Sequence, residues 1–354
     1  MDDAPRYSSV PSPEGALFAQ RFEIEKQIGS GGMSFVYAAF DRERSERVAL
    51  KVLRLPEKKR ELGLERFRRE TETLRRLVHP GVVAIYDCGV EAEITPWISM
   101  ELLEGETLRE KVERVGSLEL DRLVAIVETA SEALHLAHTK GVVHRDLKPD
   151  NLFLPRDPSG SRVKIIDFGL SLSADAKKLT QTGSVVGTPR YMAPEQIMSA
   201  HSTDPRVDVY SLGVIAYEAL AGKSPFAASD HGQLLGAIIQ GRIEPLEAIR
   251  PDLPKDIVRV IERATAPDPS DRYESPIAFA AALKKAAEGR PVTYREIRRP
   301  DRSSRPSYPS SPGTLPAPRV ESGGVGLSPI GWALLVVGLA AAGAGITYLA
   351  LHAL

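Results

Sequence analysis

Residues 144–151 read His-Arg-Asp-Leu-Lys-Pro-Asp-Asn, and an Asp-Phe-Gly triplet begins further along at Asp167. Asp146 can accept the proton of an attacking hydroxyl, and Lys148 can offset charge on a transferring phosphoryl group. Asn151 and Asp167 carry oxygen ligands of the kind that Mg²⁺ prefers. A chance polar turn explains an isolated His-Arg-Asp triplet but not this full string followed by Asp-Phe-Gly. The spacing predicts magnesium-assisted phosphoryl transfer.

Two stretches upstream fit the same chemistry. Residues 28–37 read Ile-Gly-Ser-Gly-Gly-Met-Ser-Phe-Val-Tyr. The glycines allow a hairpin to fold over phosphate groups with its backbone N–H groups pointing at them, although glycine-rich turns are common. Residues 48–51, Val-Ala-Leu-Lys, alternate as in a strand and place a lysine at the end of it.

These stretches resemble, in the same order, the motifs of the eukaryotic-like (Hanks-type) bacterial serine/threonine protein kinases. The resemblance implies an α+β, bilobal protein-kinase fold over residues 21–288, with a small β-rich N-lobe and a larger helical C-lobe. It implies transfer of the γ-phosphate of ATP to serine or threonine hydroxyls of protein substrates, with Mg²⁺, or Mn²⁺ in its place. Ser34 stands where the family has the third glycine of its loop, which we interpret as tuning of the loop.

The resemblance also implies the nucleotide contacts. Lys51 is expected on the α- and β-phosphates, and Glu70, on a predicted helix, is expected to pair with it. Glu65 and Glu72 are competing candidates for that pair. Met100 corresponds to the gatekeeper, ahead of a hinge whose backbone groups bind adenine. The predicted nucleotide-binding residues are Ile28, Gly29, Ser30, Gly31, Gly32, Met33, Val36, Ala49, Lys51, Glu70, Met100, Glu101 and Leu103.

The segment at residues 171–192 is polar and rich in hydroxyl groups, a composition typical of loops that switch between disorder and order. A phosphate on this segment can pair with Arg145 through charge-assisted hydrogen bonds. Thr180 and Thr182 are the candidate autophosphorylation sites, with Ser184 as the third. We therefore expect activation by autophosphorylation of this loop.

The resemblance assigns Thr188, in Gly-Thr-Pro-Arg-Tyr, to the substrate pocket, in contact with Asp146 and Lys148. The lysine in Asp-Leu-Lys-Pro and the short Gly-Thr-Pro approach to Ala-Pro-Glu favour serine and threonine over tyrosine as acceptors.

Two further residues of the predicted C-lobe are assigned structural roles. Asp208, at the start of an apolar helix, is expected to cap the backbone of the loop at 144–151. Arg272 is expected to form a buried ion pair with Glu195 and so to hold the end of the segment before it.

The chain of 354 residues suits a bilobal enzyme with appendages. Its formal net charge of −1 gives no general attraction to nucleic acid, and no nucleic-acid partner is predicted. Cys88 is the single cysteine, which excludes an intramolecular disulfide framework and fits a reducing compartment. We interpret it as a small buried apolar side chain.

The ends of the chain differ in composition from its middle. Residues 1–20 are predicted to be a flexible segment without the layout of a secretory signal. Residues 289–328, rich in Pro, Ser and Arg, predict a disordered juxtamembrane linker.

Residues 329–352 contain no Asp, Glu, Lys or Arg and are long enough to span a bilayer at ~1.5 Å per residue. They predict one C-terminal transmembrane helix, with Trp332 and Tyr348 as interface anchors; a buried core helix is the alternative. Arginines precede the helix and only His352 follows, so the positive-inside rule places the kinase domain in the cytoplasm, at the cytoplasmic membrane.

Small residues at positions 338, 341, 342 and 345 allow two such helices to pack closely, in a homodimer that phosphorylates in trans. Such residues are also common in transmembrane helices that do not pair. Two other functions compete with a protein kinase: a membrane-tethered, nucleotide-binding pseudokinase scaffold, and a small-molecule phosphotransferase. The second is disfavoured because residues 187–195 resemble a peptide-binding segment.

Overall fold

The computed structural model describes residues 15–31, 34–57, 60–156, 162–168, 189–199 and 204–292. The chain divides into two units between Arg298 and Arg299, and the described residues all belong to the first. Predictions for the transmembrane helix at 329–352 and for most of the linker lie outside the described residues. Six predicted site residues also lie outside them: Gly32, Met33, Thr180, Thr182, Ser184 and Thr188. In the part of the chain that is described, no helix has the length and apolar character needed to cross a membrane.

The first lobe is built on a six-stranded antiparallel sheet with strand order β1-β2-β3-β4-β6-β5. Its side chains alternate between faces, as predicted for residues 48–51. Val48 and Leu50 pack on one face with Trp97, whereas Ala49 packs on the other with Phe67 of helix α1. The elements of this lobe are β1 Leu17–Phe18, β2 Phe22–Gly31, β3 Ser34–Asp41, β4 Glu46–Leu53, α1 Arg60–Leu74, β5 Ile85–Glu91 and β6 Thr95–Glu101.

The second lobe is mainly helical and contains the larger hydrophobic core. Its central helix, α5 at Arg206–Ala221, is buried from Val207 to Leu220, because its sequence is apolar on every side. The helices of this lobe are α2 Leu108–Val115, α3 Leu120–Thr139, α4 Pro194–Met198, α5 Arg206–Ala221, α6 His231–Ile239, α7 Leu246–Ile249, α8 Lys255–Ala264 and α9 Pro276–Ala287, with 3₁₀ turns at Pro149–Asn151, Pro189–Tyr191 and Pro269–Asp271.

A small antiparallel sheet of β7 (Gly105–Thr107), β8 (Leu152–Pro155) and β9 (Lys164–Ile165) positions the two predicted metal ligands. Leu152 pairs with Ile165, so the start of β8 faces the end of β9. The N–H of Ile166 donates to the carbonyl of Asn151 at 3.0 Å. Asn151 directly precedes β8, and Asp167 comes shortly after β9. The pairing of these two strands therefore brings Asn151 and Asp167, which are distant in sequence, to the same edge of the small sheet.

Candidate active site

Lys51 lies on β4 between its register partners Val36 on β3 and Ile98 on β6. Its side chain is 10% exposed, and its ammonium lies 2.5 Å from a carboxylate oxygen of Asp167. A strand residue is thereby joined to the Asp-Phe-Gly motif of the other lobe.

Glu70 does not form the predicted ion pair with Lys51 in this structure, in which the lysine is paired with Asp167. One carboxylate oxygen of Glu70 is buried and has no hydrogen-bond partner among the described residues. Burial raises the pKa of Glu70 above its ordinary value, and three arginines, including Arg145, oppose this shift without cancelling it. In this structure the Lys51 ammonium has Asp167 as its carboxylate partner, so it does not offset the desolvation of Glu70.

Asp208 is fully buried in the first turn of α5. It organises the backbone of the loop at residues 144–151, which is called the catalytic loop below. Its carboxylate accepts hydrogen bonds from the N–H groups of His144 and Arg145, each at 2.9 Å, so the predicted cap is confirmed. Arg145 has φ 63°, in the left-handed region that non-glycine residues seldom adopt. Gln196 of α4 donates to the carbonyl of Arg145 at 2.9 Å. The cap and this bond hold the loop in that conformation.

His144 is completely buried beneath the loop, with its ring centroid 5.1 Å from that of Phe168. Burial lowers the pKa of His144, so the ring is neutral at pH 7. A neutral ring can pack against Phe168 without the cost of a buried charge, which links the catalytic loop to the Asp-Phe-Gly motif.

Asp146, Lys148 and Asn151 converge at the mouth of the site. The Lys148 ammonium lies 3.0 Å from a carboxylate oxygen of Asp146, whose side chain is 56% exposed. The side-chain amide of Asn151 donates to the carbonyl of Asp146 at 2.8 Å, which directs its NH₂ group into the loop and leaves its side-chain oxygen as an acceptor. The loop therefore presents a carboxylate and an ammonium to an incoming substrate.

The predicted glycine-rich hairpin is confirmed as the pair β2–β3, with Gly29 opposite Val36, Ser30 opposite Phe35 and Gly31 opposite Ser34. The strands remain paired up to Ser34, the position that lacks the family's glycine. Ile28 is 45% exposed on β2.

The predicted hinge lies at the end of β6. Met100 is buried at the end of β6. The N–H of Glu101 donates to the carbonyl of Ala84 at 2.9 Å, so this group is already occupied. Leu103 has no backbone hydrogen bond to any described residue, which leaves its N–H and C=O to a ligand.

A small apolar cavity lies on the α1 side of Met100. Glu101, Leu103 and the described glycine-rich residues do not line it. Its lining consists of Lys51, Leu74, Leu77, Val82, Val83, Ile85, Ile98, Met100, Ile166, Asp167 and Phe168. The Lys51–Asp167 pair thus forms one side of this apolar cavity, which Met100 also lines.

The first turn of α4 is held by the ion pair predicted between Arg272 and Glu195. The two guanidinium nitrogens lie 2.6 and 2.8 Å from the two carboxylate oxygens, and the Arg272 side chain is completely buried. Such a bidentate pair fixes geometry as well as charge. This prediction is confirmed.

Residues 22–284 match the sequence profile of the protein kinase domain family. The chain belongs to this family. It is 38% identical over 314 residues to the serine/threonine-protein kinase PknA of Mycobacterium tuberculosis, an alignment that covers 87% of this chain and 68% of that protein. The chain is therefore a Hanks-type bacterial serine/threonine protein kinase.

Two solved structures share the fold of this kinase. The kinase domain of Mycobacterium tuberculosis PknI superposes with a TM-score of 0.63 at 27% identity, covering 78% of this chain and 100% of that chain. The structure of Rad53 1–466 in complex with AMP-PNP superposes with a TM-score of 0.61 at 26% identity, covering 74% of this chain and 64% of that chain. The bilobal protein-kinase fold is thereby established.

Among the described residues, a polar cluster around Arg109 was missed by sequence reasoning. Arg109 of α2 contacts the carboxylate of Glu218 on α5 and the hydroxyl of Tyr191. The Tyr191 hydroxyl in turn donates to Glu218 at 2.7 Å. Burial raises the pKa of Tyr191, and the neighbouring Glu218 adds to the rise. A signal was present in the sequence, because Glu218 is a lone carboxylate in an otherwise apolar stretch of α5.

Proposed function

We propose that this serine/threonine protein kinase uses Asp146 as the base that accepts the proton of the acceptor hydroxyl. The observation that carries the proposal is the pairing of Asp146 with Lys148 at 3.0 Å on a loop whose backbone is capped by Asp208. As the oxygen of the serine or threonine forms its bond to the γ-phosphorus, its proton passes to Asp146 and ADP departs with the bridging oxygen. Lys148 stabilises the charge on the transferring phosphoryl group.

Asn151 and Asp167 are the proposed ligands of Mg²⁺, or of Mn²⁺. Their side-chain oxygens are hard ligands, and the carboxylate of Asp167 is 41% exposed at the cleft. Among the described residues, no group of three or more His, Cys, Asp or Glu side chains converges. Two protein ligands suit a Mg²⁺ that takes its remaining ligands from nucleotide phosphates and water. The bound metal would neutralise phosphate charge.

Lys51, Glu70 and the β2–β3 hairpin are the proposed phosphate-binding groups, with Ala49, Met100 and the backbone of Leu103 around adenine. An AMP-PNP complex of the structural relative Rad53 supports a nucleotide in this cleft. For phosphate binding we propose that Lys51 exchanges Asp167 for Glu70 as its carboxylate partner, which would free Asp167 for the metal.

Autophosphorylation of Thr180, Thr182 or Ser184 is the proposed trigger of that exchange, with Thr188 in the substrate pocket. Arg145 supports this proposal because its side chain is exposed and forms no ion pair with any described residue. A phosphate that pairs with Arg145 would be held next to the catalytic loop, within electrostatic reach of Glu70.

The remaining proposals concern location and assembly and rest on sequence. Residues 21–288 form the kinase domain, preceded by the segment 1–20, and residues 289–328 link it to a membrane helix at 329–352. The kinase would act on protein substrates in the cytoplasm, in signal transduction at the membrane, and as a homodimer for phosphorylation in trans. No observation favours the pseudokinase scaffold.

The proposal is tested by incubating the full chain with Mg-ATP, beside Asp146→Asn and Lys51→Met, and by mapping every phosphate by mass spectrometry. We expect a phosphate on Thr180 or Thr182 in the wild type, and on neither threonine in the two variants. If wild type and Asp146→Asn acquire the same phosphates at the same rate, Asp146 is not the base.

A further inference from the structure

A second cavity of ≈ 300 Å³ lies beside β7, α2, the start of α3 and the end of β8. It shares no lining residue with the cavity next to Lys51. Its volume is within the range of sites that hold small ligands or a few side chains of a partner. The proposed phosphoryl transfer uses none of its residues.

The cavity is strongly cationic. Among the described residues, Lys111 and Arg114 of α2, Arg122 of α3 and Arg156 after β8 line it, and Glu106 is the one carboxylate of that described lining. Four cations against one anion leave a surplus of three positive charges in a space the size of a few side chains.

Glu106 is shared by the two cations of α2. Its carboxylate accepts hydrogen bonds from Arg114 at 2.6 and 3.1 Å, and the Lys111 ammonium lies 3.5 Å away. Hydrogen bonding to Arg114 holds the pKa of Glu106 below its ordinary value, so this group stays ionised. Arg122 and Arg156 form no ion pair with any described residue. Two of the four cations are therefore available to an anion.

The cavity is built on fixed backbone. Gly105 and Glu106 of β7 pair with Pro155 and Leu154 of β8. Gly105 has φ +154°, and a Cβ there would lie 2.2 Å from the carbonyl oxygen of Leu154, so no other residue fits without a shift. A capping box between Thr107 and Glu110 fixes the start of α2. The cations thus project from elements whose positions are set by main-chain bonds.

We propose that this cavity is a docking site for an acidic segment of a protein substrate, whose clustered Asp or Glu side chains enter the cavity between Arg122 and Arg156. Arginine forks match carboxylates bidentately, and their surplus charge attracts an anionic partner. The described part of the lining contains no aromatic side chain on which a nucleic-acid base could stack, which disfavours a single-stranded nucleic acid. The identification of the ligand as a substrate rests on the proposed function, whereas binding itself does not.

The binding test uses the full chain and two fluorescent peptides, one with a cluster of Glu residues and one with Gln at the same positions. The double variant Arg122→Glu/Arg156→Glu removes the two available cations. Arg259→Glu/Arg290→Glu is the matched control, since it changes the same charge at exposed arginines outside the lining. We expect the acidic peptide to bind the wild type and the control alike, and to bind the cavity variant about tenfold more weakly.

Three results would overturn the docking site: equal binding of the Gln peptide, an equal loss of affinity in the control, or an oligonucleotide that binds the wild type at least as tightly as the acidic peptide. Kinetics then separates docking from catalysis. With the acidic segment fused to a phosphorylatable peptide, the cavity variant is expected to raise KM about tenfold and to leave kcat unchanged. A wild type that binds the peptide but transfers no phosphate would remove the proposed function and leave the anion site in place.

Discussion

The Lys51 ammonium has two candidate carboxylate partners, Asp167 and Glu70, and the structure pairs it with Asp167. Asp167 holds it at 2.5 Å, while Glu70 is left partly buried with a raised pKa. The same cleft therefore contains a satisfied pair and an uncompensated acid. An uncompensated buried acid favours any rearrangement that supplies it with a cation.

Glu70→Gln is expected to leave the thermal stability at pH 7 equal to or higher than that of the wild type. A raised carboxyl pKa means that the folded state holds its proton more tightly, so stability from this group falls as pH rises above about 4.3. The amide cannot ionise and avoids this cost. The same variant is expected to lose most phosphoryl transfer, because the proposed active pair with Lys51 needs a carboxylate.

Differential scanning calorimetry from pH 4 to 7 and a phosphate-transfer assay check both halves of this prediction. Glu72→Gln, at an exposed position of the same helix, is the control. A Glu70→Gln variant that is less stable and fully active would contradict the proposed role.

His144 predicts a pH dependence of stability. Its pKa is lowered by burial in the folded state. Below about pH 6.5 the histidine therefore becomes protonated in the unfolded chain while it stays neutral in the folded chain. The contribution of His144 to the free energy of unfolding is therefore largest above about pH 6.5. It decreases as the pH falls towards the pKa of His144 in the folded state.

His144→Phe keeps a ring against Phe168 and removes the titration. We expect the melting temperature of this variant to fall less than that of the wild type between pH 7 and 5.5. His135→Gln, at an exposed position, controls for the loss of a histidine elsewhere. Parallel slopes for the wild type and His144→Phe would exclude His144 as a source of the pH dependence.

Among the elements, α2 and α5 are joined to the turn at Pro189–Tyr191 by one cation. Arg109 contacts both Glu218 and Tyr191, and the Glu218 side chain is 7% exposed. Since Tyr191 belongs to the segment assigned to substrate binding, a helix that follows the hinge is coupled to the proposed peptide site.

Arg109→Met is expected to lower the free energy of unfolding by roughly 2–3 kcal/mol, because it leaves the buried Glu218 with Tyr191 as its remaining partner in this cluster. We also expect KM for a protein substrate to rise. Glu113→Gln, at an exposed position on the same helix and outside the cationic cavity, is the control and should change stability by less than ~1 kcal/mol. Denaturant titration and steady-state kinetics measure both effects, and equal losses in the two variants would contradict the coupling.

At the scale of the elements, periodicity and motif predicted most of what is observed. The alternation of residues 48–51 placed β4 correctly, and the glycine-rich stretch is the hairpin β2–β3. Sequence could not locate the Arg109 cluster or the cationic cavity. The residues of the Arg109 cluster are spread over three elements and those of the cavity over four, and only the packing of those elements brings the charges together.

For the whole molecule, the described residues form the catalytic unit, and the proposed membrane anchor belongs to the part beyond it. The uncharged stretch at 329–352 predicts that the chain is held at the bilayer. That arrangement would keep the kinase near its membrane-associated substrates and raise the chance of phosphorylation between two copies.

The full chain is expected in the membrane fraction, extracted by detergent and not by high salt, because a transmembrane helix is held by apolar burial. A chain that ends at residue 292 is expected in the soluble fraction with the same phosphate-transfer activity. Fractionation and immunoblotting measure both. A full chain that is released by salt alone would contradict the transmembrane assignment.

The sequence by itself indicated a protein kinase, because phosphoryl transfer needs particular side chains at particular spacings and residues 144–151 and 167–169 carry them in order. It also indicated the cap by Asp208 and the pair Arg272–Glu195, both of which are observed. Only the tertiary structure decided that Lys51 pairs with Asp167 instead of Glu70. That choice depends on distances between two lobes and on the cost of desolvating a carboxylate, and neither quantity is written in local sequence.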